Sequence, residues 1–168
     1  TFGAPTVLIS ILDGERQWFK STVGLDVDET PRDVAFCAHA ILEDGPLVVL
    51  DAKEDVRFHK NLLVTGEPFI RFYAGAPLIT PEGFRLGTLC VIDYEPHAEF
   101  GCTKRAHLES FAMLAMQMLE MRRQLIEDEI APVTSEEAEV AKRDLFALVA
   151  HEIRSPIATM VSLSQIVD

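Results

Sequence analysis

Up to Phe100 the chain alternates short apolar blocks with turn residues; beyond it the spacing becomes helical. Thr6 to Leu12 (TVLISIL) is dense in β-branched and apolar residues and stops at Asp13-Gly14, a hairpin signal. Gln17 to Val23 (QWFKSTV) is therefore predicted to return as the second strand. Thr30-Pro31-Arg32-Asp33 reads as a helix start, with Thr30 as cap, Pro31 at the first helical position and Asp33 at the positive end. That helix should bury Val34, Cys37, Ala38 and Ile41 on one face and end near Gly45-Pro46. Leu47 to Leu50 is a short buried strand, and Ala52 to Phe69 a loop with a short helix. Ile70 to Leu78 places Phe72, Ala74, Ala76 and Leu78 on one strand face, and Thr80 to Gly83 is a turn. Arg85 to Asp93 completes a hairpin. The expected class is α+β, an antiparallel sheet flanked by helices.

From Thr103 to about Ile130 there is no Gly or Pro, and Leu108, Phe111, Ala115, Met118 and Leu125 recur at spacings suited to a partner helix, interrupted by Arg122. The pattern predicts a coiled-coil-type helix about 40 Å long. Ala131-Pro132-Val133 breaks it, and Thr134 to Glu137 form a capping box that opens a second long helix from Ser135 towards Asp168. The domain boundary is placed near residue 100, with a helical stalk after it.

A formal charge of −12, from 27 acidic against 15 basic side chains, repels phosphate backbones and argues against nucleic-acid binding. No apolar run approaches the roughly 20 residues that cross a bilayer, so the expected location is the cytoplasm, with an upstream membrane segment left open. The three cysteines, Cys37, Cys90 and Cys102, form no metal-type spacing, and no metal site is expected. They read as core or incidental thiols in a reducing compartment, with oxidant sensing by Cys37 and Cys90 as the competing reading.

Three segments carry a family resemblance: Phe36 to Ile41 (FCAHAI), Phe72 to Leu78 (FYAGAPL) and Leu86 to Asp93 (LGTLCVID). In this order they resemble a GAF domain spanning residues 1–100, whose customary first helix is missing here. The resemblance implies a sensor fold that binds a small molecule, but identifies no ligand. Neither the Cys-His pair of bilin-attaching relatives nor the Asn-Lys and Asp-Glu pattern of cyclic-nucleotide binders is present.

Phe146 to Ile157 (FALVAHEIRSPI) resembles the H-box of sensor histidine kinases. Phe146, Ile153, Met160 and Val167 recur every seven residues, with Val149, Pro156 and Leu163 as the companion set. His151 then falls on the outward face, where a nucleophile that must meet two large partners belongs. A neutral imidazole can attack the γ-phosphoryl of ATP and hold it covalently. Glu152 is placed to orient the ring or take a proton from its other nitrogen. Pro156 should bend the helix just after the site. Ala150 stands where Ser often precedes the histidine. Ser155 stands where relatives with phosphatase activity carry Thr or Asn, and is the candidate for that water-orienting role.

The resemblance implies a signalling helix over residues 103–131 and the first, truncated helix of a dimerisation and phosphotransfer domain over 134–168. It implies a protein-histidine kinase as parent, with ATP and Mg2+ held by a catalytic domain absent from this chain. The expected partners are a second copy through the stalk, that catalytic domain, a response-regulator receiver domain and an unidentified ligand of the sensor domain. The alternative is a non-catalytic small-molecule-binding GAF module with a dimerising stalk. A redox enzyme using Cys37 or Cys90 is a further rival.

Overall fold

The computed structural model describes residues 2–130. Strands β1 (Thr6–Leu12), β2 (Arg16–Val23), β3 (Glu29–Pro31), β4 (Leu47–Val49), β5 (Phe72–Ile79) and β6 (Arg85–Asp93) form one sheet in the order β3-β2-β1-β6-β5-β4. All neighbours run antiparallel. Both expected hairpins form, β1–β2 around Asp13-Gly14 and β5–β6 around Thr80 to Gly83. Helices α1 (Phe36–Ala40) and α2 (Leu62–Thr65) lie in the connections, and α3 (Cys102–Ile130) follows the sheet.

Because side chains alternate along a strand, β5 and β6 feed two separate cores. Phe72, Ala74, Ala76, Leu78, Leu89 and Val91 join Val7 and Ile9 against α3. Tyr73, Cys90 and Ile92 point the other way, towards Phe36, Cys37, Ala40 and the loop residues Phe58, Val64 and Ile70. The β5 face read from the sequence is thus the one that packs on α3.

The helix expected from Thr30 is much shorter. Thr30 pairs with Gln17 as part of β3, Arg32–Val34 make a single 3-10 turn, and α1 begins only at Phe36, with no side-chain cap. Its buried positions are Phe36, Cys37 and Ala40, with Ile41 behind them. Val34 and Ala38 remain half-exposed. Pairing with the edge of β2 uses the backbone groups that a helix start at Thr30 would have needed.

Helix α3 matches its expected span and is about 44 Å long. Leu108, Ala112, Ala115, Met116 and Ile126 are buried on the sheet. Leu108 and Ala115, expected in a partner-facing seam, therefore face this chain's own core. The exposed stripe is Leu114, Met118, Met121 and Leu125, at spacings of four, three and four, with Met118 half-buried. No helix among the described residues is long and apolar enough to cross a membrane.

Candidate functional site

On the face of the sheet opposite α3, the strands, α1 and the α2 segment enclose a cavity of about 310 Å³. Its floor is Leu8, Phe19, Tyr73 and Ile92 from the sheet; its roof is Phe36, Cys37, Leu63 and Ile70. Each roof element is pinned locally. Asn61 caps α2 by accepting from Leu63 N at 2.8 Å, and donates from its amide to Val34 O at 2.9 Å, joining α2 to the turn before α1. Phe36 stacks on Phe58 at 4.1 Å between ring centroids and tilts against Tyr73 at 5.2 Å. Arg71 makes a bidentate pair with Asp51 at 2.8 and 2.6 Å, tying the loop after β4 to the start of β5. Arg85 donates to Ile41 O at 3.0 Å, closing the end of α1.

The lining is apolar apart from a few polar groups. Thr6 donates to Gly24 O at 3.1 Å, and its hydroxyl lies 3.0 Å from that of Tyr94. Glu67 stands exposed at the mouth, beside Val27 and Pro68. Gln17 is 5% exposed and lines the wall. Its amide nitrogen is 3.5 Å from Thr30 Oγ1, and its amide oxygen is buried with no hydrogen-bond partner. A buried acceptor left open is uncommon in folded proteins.

Beneath the roof, Cys37 Sγ and Cys90 Sγ are 3.7 Å apart. Tyr73 donates its hydroxyl to Cys37 Sγ at 3.4 Å. Ser10 and Thr88 hydroxyls lie 3.1 Å from each other nearby. Burial pushes the Cys37 thiol up, but hydrogen bonding with Cys90, Ser10, Thr88 and Tyr73 outweighs it, so its pKa lies below the ordinary thiol value. Burial first, and then the Cys37 sulfur, push Cys90 well above that value. Burial likewise raises Tyr73, which stays a protonated donor. A Cβ at Gly75 would collide with the Tyr73 phenol, which lies across that glycine.

Of the thiols read from the sequence, Cys37 and Cys90 come together here, beside Tyr73 of the FYAGAPL segment. Trp18 lies outside the lining, with the Lys20 ammonium 5.5 Å from its ring centre. His39 is exposed and meets Phe58 edge-on at 4.8 Å. Cys102 is exposed. His151, Glu152 and Ser155 lie outside the described residues, as does the capping box at Thr134. Gln17, Glu67 and Tyr94 carry no signal in the sequence that points to a cavity. Among the described residues no cluster of three or more His, Cys, Asp or Glu could hold a metal ion.

The GAF domain profile matches residues 1–119. Over 115 residues the chain is 56% identical to a cyclic di-GMP phosphodiesterase of Pseudomonas aeruginosa; the match takes in 68% of this chain and 20% of that protein. The chain thus spans about a fifth of that relative's length. Among solved structures, free methionine-R-sulfoxide reductase from Neisseria meningitidis, in complex with its substrate, superposes with a TM-score of 0.60 at 21% identity, over 74% of this chain and 72% of that one. The GAF domain of a phosphoenolpyruvate-protein phosphotransferase from Coxiella burnetii gives 0.58 at 18% identity, over 72% and 74%. At such identities these superpositions speak for the fold alone. Profile and architecture agree: the chain belongs to the GAF domain family.

Proposed function

We propose that residues 2–130 are the sensory module of a larger signalling protein, taking a small ligand into the cavity between the sheet and α1. The observation that carries this reading is a cavity of about 310 Å³ with an apolar floor and roof and Gln17, whose amide oxygen has no partner, in its wall. The Glu67 carboxylate at the mouth disfavours anions. The ligand class is then a neutral or cationic molecule with an apolar body and one hydrogen-bond donor aimed at Gln17. The exposed stripe Leu114, Met118, Met121 and Leu125 suits pairing of α3 with that of a second copy, so ligand state can reach an output domain through the paired helices.

Indole and its N–H-free isostere indene test this by NMR titration of the 168-residue chain. The expected result is saturable shifts at Gln17, Phe36 and Tyr73 with indole, and at least tenfold weaker binding of indene. Shifts confined to the surface, or equal affinity for both, would count against a donor-reading cavity.

For the output, the stretch from Phe146 to Ile157 favours phosphotransfer: His151 as phosphoacceptor, Glu152 as its orienting group and Ser155 at the water position. In this second reading a separate ATP-binding domain supplies Mg2+ and ATP, and a response-regulator receiver takes the phosphoryl group in the cytoplasm. The name of the Pseudomonas relative points instead to cyclic dinucleotide hydrolysis by regions beyond this chain. Labelled ATP plus a separate histidine-kinase catalytic domain distinguishes them. Acid-labile label lost in His151→Gln supports phosphotransfer, and no label on folded protein removes it.

A further inference from the structure

Cys37 and Cys90 come from elements 53 residues apart in sequence, yet their sulfurs approach to 3.7 Å with no other thiol near. Chance packing of two cysteines needs no further partners, but this pair has them. Tyr73 aims its hydroxyl at Cys37, and the Ser10 and Thr88 hydroxyls flank the pair. The two sulfurs also differ in access: Cys37 lines the cavity, whereas Cys90 lies behind it in β6. One residue of the pair therefore borders the space a small molecule would enter, with the second thiol behind it.

We propose that Cys37 and Cys90 form a peroxide-sensitive thiol pair, Cys37 attacking a hydroperoxide that enters the cavity and Cys90 resolving the product to a disulfide. In the first step the Cys37 sulfur attacks the terminal oxygen of ROOH. The O–O bond breaks, the thiol proton goes to the departing RO−, and Cys37 becomes a sulfenic acid as ROH leaves. In the second step the Cys90 sulfur attacks the Cys37 sulfur. The S–O bond breaks, and the hydroxide leaves as water with the Cys90 proton. Two thiols lose two electrons and two protons, and the hydroperoxide is reduced to alcohol and water. The sulfurs must close from 3.7 Å to about 2.05 Å for the bond to form. Cys37 is the attacking sulfur because, of the two residues, it is the one that lines the cavity and it parts more readily with its proton. The bond would tie α1 to the centre of the sheet and redraw the roof of the cavity. The pair requires the cavity as an entrance, not as a ligand site, so it stands or falls apart from the indole titration.

The test uses the 168-residue chain carrying Cys102→Ser, which removes the exposed third thiol. Folded protein is treated with excess cumene hydroperoxide, quenched with N-ethylmaleimide in guanidinium, and read by intact mass and peptide mapping. The expected product has lost both labels together, is two hydrogens lighter and regains both labels after dithiothreitol. In Cys90→Ser, dimedone should trap a sulfenic acid on Cys37, and in Cys37→Ser neither product should form. Peptide mapping of the otherwise wild-type protein keeps the result independent of how the variants fold. Two free thiols after prolonged treatment, or oxidation only once the protein is unfolded, overturns the proposal.

Discussion

Gln17 sits in the cavity wall with an amide oxygen that no neighbour bonds, and a buried acceptor so placed costs about 1–3 kcal/mol. Gln17→Met should therefore raise the stability of the empty domain by about 1 kcal/mol in urea unfolding, while erasing the preference for indole over indene. Tyr73 supplies the opposite case, a donor already in use against Cys37. Tyr73→Phe should slow hydroperoxide consumption several-fold near neutral pH, since the hydroxyl that donates to the Cys37 sulfur favours its thiolate, the nucleophilic form. Acid stability follows from two carboxylates. The Arg16 and Glu15 backbone N–H groups hold Asp13 down to about 2, and the Arg71 guanidinium lowers Asp51. Folded values below the unfolded 3.8 mean that this contribution is complete above that pH and is lost as pH falls through the folded values. Urea midpoints should stay level down to about pH 4 and drop towards pH 2, less steeply in Asp51→Asn. Little of this could be read from the chain, because the partners of Gln17, Cys37 and Asp51 are set by strand register and loop return. Composition marks them as a polar residue, a thiol and an acid, and no more.

At the scale of elements, legibility depended on how local the deciding contacts are. The β1–β2 and β5–β6 hairpins and the length of α3 were legible because turn residues and an unbroken Gly- and Pro-free run decide them. The α1 start is not legible because Thr30-Pro31 satisfies a capping pattern and an edge-strand pattern equally, and only pairing with β2 chooses between them. The two faces of α3 are hard to separate in the sequence for a related reason. A 29-residue helix carries apolar residues on two sides, one for the sheet and one exposed, and a heptad drawn through Leu108 and Leu125 crosses from one to the other. Substitutions separate the two faces. Leu108→Ala should cost about 2–5 kcal/mol in unfolding, as expected for a fully buried leucine. Leu114→Glu with Met121→Glu should leave unfolding within about 0.5 kcal/mol but shift sedimentation equilibrium to the monomer. Retention of a dimer in the double variant would take α3 out of the assembly.

Taken whole, the domain is a single sheet with a different tenant on each side: cavity and thiol pair on one, α3 on the other. Neighbouring residues of the same strands serve both, Tyr73 beside Phe72 and Cys90 beside Val91. A shift of β5 or β6 caused at the cavity is therefore felt by α3 with no intervening element. Single-residue spacing along a strand made this two-sidedness readable for Phe72 to Leu78, while the cavity itself arises from loops whose path no local pattern encodes. The outer strands carry one more implication. Both β3 and β4 are only three residues long, β3 ends at Pro31, and past β4 the uncovered rim of β5 carries Pro77. Neither border offers a long ladder of unused amide groups. Many such domains can therefore crowd together at high concentration without zipping edge to edge into fibres.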